Sequence, residues 1–101
     1  MLAFFSVSPG DKGEHLSKYV AKSLELIEKS GLDYVIGPMG TTVEGEPEEV
    51  FDLIKRCHIQ MREFSVRVGT SIKIDDHVGR TGRLTGKVKS VEKAIGHELK
   101  K

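Results

Sequence analysis

The sequence predicts an α+β sandwich: a four-stranded antiparallel sheet in the order βαββαβ, with two helices on one face and an additional C-terminal helix. Three observations predict it. Short β-branched or aromatic runs alternate with two stretches of helical period. Gly/Pro punctuation separates them. Right-handed crossovers then put both helices on the same side of the sheet, which is the ferredoxin-like arrangement.

Residues 2–7, Leu-Ala-Phe-Phe-Ser-Val, stop at Ser8-Pro9-Gly10 and read as the first strand. Leu16, Tyr19, Val20, Leu24 and Ile27 then recur at i, i+3, i+4, i+8 and i+11. Lys18, Lys22, Glu25 and Lys29 take the other side, and Ser30-Gly31 ends this helix. Tyr34-Val35-Ile36 and Thr41-Thr42-Val43-Glu44 form an antiparallel pair joined near Met39-Gly40. Pro47 with Glu46, Glu48 and Glu49 announces a second helix, since proline suits the first turn and carboxylates favour the positive end of the dipole. Its apolar stripe is Val50, Leu53, Ile54, Cys57 and Met61. The last strand is expected over residues 65–74, with Val66, Val68, Thr70, Ile72 and Ile74 on one face. After a polar turn, Leu84, Val88, Val91 and Ile95 mark the third helix. Residues 1–101 therefore read as one ligand-binding domain without repeats or linkers.

Composition narrows the function classes. Sixteen Lys+Arg against 15 Asp+Glu give a net charge of +1, which supplies no broad footprint for nucleic acid or anionic lipid. The Lys-rich stretch 87–101 is interrupted by Glu92 and Glu98 and reads as a solvated helix face. No run approaches the roughly 18–20 apolar residues of a membrane span. The apolar start lacks a basic flank, so a cytoplasmic location is expected. Cys57 is the only cysteine, which rules out an internal disulfide or a multi-thiolate metal site within one chain.

The first strand carries apolar residues on both parities, Leu2 and Phe4 against Ala3, Phe5 and Val7. Two helices cover only one face, so a second subunit or the third helix is expected over the other. Burial of one such aromatic is worth about 1.5–3 kcal/mol. Sheet-against-sheet self-association is the favoured reading, with a ligand pocket between subunits.

Among chemistry-bearing residues, Cys57 and His58 are adjacent on a helix and diverge by about 100°, so they form no nucleophile–base pair. Cys57 reads as a core residue and His58 as structural or pocket-edge. Asp75-Asp76-His77 makes a poor metal cage and reads as a solvated turn or a subunit ion pair with Arg80 or Arg83. Gly10-Asp11-Lys12-Gly13 lacks the ending of a phosphate-binding loop. The last strand has no aromatics on which RNA bases could stack. Two stretches, 37–45 and 70–75, set hydroxyls and charges along strands, where alternate residues share a face. Ser8, Met39, Thr41, Thr42, Glu44, Thr70, Ser71 and Lys73 are the candidate ligand contacts. They suit the ring nitrogens and amine of a heteroaromatic molecule; Thr and Ser are also simply good strand formers, and spacing alone leaves both readings open. A cofactor-independent enzyme is the alternative, with His58, Glu44 and Lys73 as its acid–base groups.

At these stretches the sequence resembles a family of thiamine-binding proteins of roughly a hundred residues. The resemblance rests on Val7-Ser8-Pro9-Gly10, on Ser17-Lys18-Tyr19-Val20, and on the Met-Gly-Thr-x-x-Glu-Gly hairpin at Met39 to Gly45. His58 and the closing Thr-x-Ile-Lys-x-Asp strand at Thr70 to Asp75 complete it. It implies a ferredoxin-like fold, homodimers pairing into tetramers through their sheets, and binding of thiamine or its hydroxymethylpyrimidine half without a cofactor or established catalysis.

Overall fold

A computed structural model describes residues 1–101. The chain forms β1 (Leu2–Pro9), α1 (Ser17–Lys29), β2 (Asp33–Ile36), β3 (Thr41–Glu44), α2 (Pro47–Met61), β4 (Val68–Asp75) and α3 (Arg83–Ile95). The sheet order is β2-β3-β1-β4, and every neighbouring pair is antiparallel. This is the ferredoxin-like α+β arrangement with an added helix.

Register assigns the faces. Ala3, Phe5 and Val7 pair with Ile74, Ile72 and Thr70 of β4, and Ala3 and Phe5 also pair with Val43 and Thr41 of β3. The side chains of this parity meet α1 and α2. There Ala3, Phe5, Val7, Val43, Ile27, Val50, Leu53, Ile54, Cys57 and Met61 form one buried cluster. The α2 stripe of Val50, Leu53, Ile54, Cys57 and Met61 is buried whole, as its 3.6-residue period requires, whereas on α1 Ile27 is buried and Val20 is exposed. Pro47 opens α2, with Glu48 and Glu49 in its first turn. The α1 end is shaped by Ser30, whose hydroxyl donates to the Ile27 carbonyl at 2.6 Å, and by Gly31 at φ 76°.

β4 begins later than expected. Residues 65–67 form a turn instead of strand, and Val66 is 98% exposed. The Arg67 N–H donates to Ser65 Oγ at 3.1 Å, and the Ser65 hydroxyl donates to Asp11. The Gly10 N–H closes on the Arg67 carbonyl at 2.6 Å. A local hydroxyl-to-backbone turn thus outcompetes the strand propensity of Val66. The same Ser65 hydrogen bond holds the Asp11 carboxyl below its usual range.

The opposite face carries Leu2, Phe4, Ser6 and Ser8 of β1 beside Thr42, Glu44, Ser71 and Lys73. α3 meets this face near the Leu2 end. Gly82, its N-cap residue, offers no capping side chain. The Glu44 carboxylate takes over, accepting the Arg83 N–H at 3.0 Å and the Leu84 N–H at 3.2 Å. Asp75 Oδ2 lies 2.6 Å from both Arg83 Nη2 and Lys87 Nζ. These hydrogen bonds, Lys87 foremost and then Arg83, pull the Asp75 carboxyl from its ordinary 3.8 to about 2. The face stays only partly covered: Phe4 is 40% exposed, and Val35, Val88, Val91 and Ile95 are also exposed. None of the helices is long and apolar enough to cross a membrane.

Candidate functional site

The two strands beside β1 differ in reach. β4 pairs with β1 from Leu2 to Pro9, but β3 pairs with it only from Leu2 to Phe5. Beyond Phe5 the β3 side of β1 is open, and a notch of about 280 Å³ occupies the place where β3 would continue. Ser6, Val7 and Ser8 line it from β1, and Val20, Ser23, Leu24 and Ile27 line it from α1. Residues 36–41, spanning the β2–β3 hairpin, close it.

Glycines shape that hairpin. The Gly37 N–H donates to the Gly40 carbonyl at 2.9 Å. A Cβ on Gly40 would lie 2.7 Å from Phe4 Cζ and 2.8 Å from the Phe5 carbonyl oxygen, so only glycine lets the turn sit against β1. The volume lies just below the ~300–1,000 Å³ of sites for drug-sized ligands and suits one substituted ring. No ionisable side chain lines the notch. Its polar groups are hydroxyls and backbone. Ser23 is the unexpected member: it is buried, and its Oγ has no hydrogen-bond partner. It falls on the apolar stripe of α1, four residues after Tyr19 and four before Ile27. A hydroxyl at core spacing was the available sequence signal.

The structure divides the eight expected contacts among three places. Ser8, Met39 and Thr41 gather at the notch, with Thr41 buried and Met39 81% exposed at the hairpin turn. Thr42, Ser71 and Lys73 point from the opposite face, where Thr42 and Lys73 flank Phe4. Glu44 shares that face and is occupied by the N-terminus of α3. Thr70 lies on the helix side at the β4 edge, its Oγ1 2.6 Å from His58 Nδ1. That pair belongs to a shallow, largely apolar depression with Phe51, Ile54, Ile59 and Ile72. His58 therefore lies across the sheet from Glu44 and Lys73, and the three do not form one acid–base group. Cys57 is a core residue, and burial pushes its thiol up to about 11. Asp75 finds Arg83 within its own chain.

A larger cavity of about 520 Å³ lies at the other end of the sheet, lined by Asp33, Glu44, Glu46 and Glu49 and by the 76–82 loop. Only two of its 14 lining residues are hydrophobic, so it offers little surface to a flat apolar ring. No group of three or more His, Cys, Asp or Glu side chains is placed to hold a metal ion.

Solved structures share the architecture. A crystal structure of a hypothetical protein from Methanocaldococcus jannaschii aligns with a TM-score of 0.83 at 32% identity, covering 89% of this chain and 93% of that one. A Thermotoga maritima protein, assigned provisionally by its name to thiamine biosynthesis or salvage, aligns at 0.76 and 30% identity, covering 89% and 96%. By sequence, a UPF0045 protein of Methanocaldococcus jannaschii is 32% identical over 91 residues, 90% of this chain and 91% of the relative. A UPF0045 protein of Methanothermobacter thermautotrophicus is 38% identical over 82 residues, 79% of this chain and 83% of the relative. Residues 3–92 match the family described as "Thiamine-binding protein".

Proposed function

We propose that this chain, which belongs to the thiamine-binding protein family, binds thiamine or its hydroxymethylpyrimidine half without transforming it, at a site completed by a second copy of the chain. The observation that carries this reading is the notch between α1 and the β2–β3 hairpin, which gathers Ser8, Met39 and Thr41 in an uncharged, half-apolar cavity. A neutral aminopyrimidine suits such a place. Its faces lie against Val20, Leu24, Ile36 and Met39, and its nitrogens meet hydroxyl and backbone partners. Each such hydrogen bond contributes about 0.5–1.5 kcal/mol. Several together with ring burial reach the about −8 kcal/mol of micromolar affinity.

The lack of an ionisable side chain in the notch has two consequences. Without a proton donor or acceptor of suitable pKa, general acid–base chemistry has no agent there. The thiazolium cation also finds no counter-charge inside, so it stays at the mouth beside the exposed Met39. A second copy covers that mouth. Half-exposed Phe4 and Val35, with the exposed α3 stripe of Val88, Val91 and Ile95, support self-association through the sheet and α3. Homodimers pairing into tetramers would bury this surface, and the protein would act in the cytoplasm as a carrier, store or sensor of its ligand.

Native mass spectrometry of the purified protein titrated with thiamine tests both halves of the reading. A dimer or tetramer retaining one ligand per chain is the expected species. A monomer that stays empty at saturating thiamine would discard the proposal.

A further inference from the structure

We infer that the free edge of β1 at Val7, together with the Ser23 hydroxyl, reads the amine-bearing edge of the pyrimidine; this rests on the reading above and names the groups that carry it. Antiparallel strands use alternate residues for alternate neighbours. The Gly10 N–H points to the β4 side, where it meets the Arg67 carbonyl, and the Met1 carbonyl points to the β3 side, where it accepts the Gly45 N–H. By that alternation the N–H and C=O of Val7 face the β3 side, two residues beyond Phe5, where the β1–β3 pairing ends at Thr41. Both groups therefore open into the notch, on a residue that is itself buried. No β3 residue stands opposite Val7, so this donor and acceptor lie side by side without a ladder partner, free for a ligand to take.

A 4-aminopyrimidine supplies that partner. Its ring nitrogen accepts and its neighbouring exocyclic amine donates, the complement of one strand residue's N–H and C=O. The ligand then occupies the position of a missing β3 residue, a single-residue form of strand addition. Ser23 adds the second observation. Its Oγ is buried without a partner across the same cavity. It can give one hydrogen bond and accept another, which suits the second ring nitrogen or the hydroxymethyl group. The amine is the selective element. Held in the same orientation by the Ser23 contact at its far edge, a 4-oxo ring places an N–H and a carbonyl against the N–H and C=O of Val7, so donor opposes donor and acceptor opposes acceptor. Turning the ring over gives up Ser23.

Calorimetry on the full chain distinguishes the outcomes. Against 4-amino-5-hydroxymethyl-2-methylpyrimidine, Ser23→Ala is expected to bind about tenfold more weakly, while its ligand-free melting temperature is unchanged or higher, because it removes an unsatisfied hydroxyl. Ser23→Leu, which fills the notch, is expected to abolish binding. The 4-oxo analogue is expected to bind wild type at least about tenfold more weakly. In amide-resolved NMR the Val7 N–H is expected to move downfield on saturation. If wild type binds the aminopyrimidine but Ser23→Ala, the 4-oxo analogue and the Val7 resonance all show no effect, the notch is overturned and the binding function stands. If wild type takes up neither this pyrimidine nor thiamine, both proposals fall together.

Discussion

On one face of the sheet, α1 and α2 enclose Phe5, Val43, Leu53, Met61 and their neighbours in a single dry cluster. On the other, α3 has no buried residue and is held near one end by the Glu44 cap and the Asp75–Arg83–Lys87 group. The first face is stabilised by apolar area removed from water, a term that needs no particular partner atom. The second depends on a few charge-assisted hydrogen bonds whose worth falls with exposure and salt. The difference teaches where one chain encloses its apolar residues fully and where Phe4, Val35 and the α3 stripe stay exposed.

The largest expected effect sharpens this contrast. Leu53→Ala should lower unfolding free energy by about 2–5 kcal/mol, through lost burial plus the cavity left behind, as read from a denaturant midpoint. Glu44→Ala should cost about 0.5–2 kcal/mol, the range for losing a helix N-cap. Hydrogen exchange should then quicken at Arg83 and Leu84 while α1 and α2 keep their protection. Equal stability losses from the two substitutions would erase the distinction between the faces.

The smallest effect is an acid response on the α3 side. Asp75 titrates near 3.8 when unfolded and near 2 when folded. Between those values the unfolded chain carries a proton that the folded one lacks, so stability rises with pH there. The contribution is complete above about 3.8 and lost as pH falls through about 2. An NMR titration of the Asp75 carboxyl checks it, and an ordinary midpoint would mean that Lys87 and Arg83 do not hold Asp75 in solution. Asp75→Asn should remove the response.

Particular residues show why some of this was readable in advance. Val50, Leu53, Ile54, Cys57 and Met61 lie on one helix at core spacing, and all five are buried. Phe4 and Phe5 differ in parity, and they divide between the two faces as a strand requires. Val66 misled because β-branching signals a strand only where a neighbour supplies the ladder, and the Ser65 turn withdrew it. Ser23 is hard to read from sequence because an apolar stripe is traced through its apolar members, and Ser23 is the polar exception on it.

Element order, core faces and the chemical character of the hairpin followed from the chain itself, because side-chain periodicity is a local property of backbone geometry. The attachment of Glu44 to an amide 39 residues onward, the early end of β3 against β1 and the notch that results were decided only in three dimensions. They depend on where separate segments stop relative to one another, and no local pattern of residues encodes that distance.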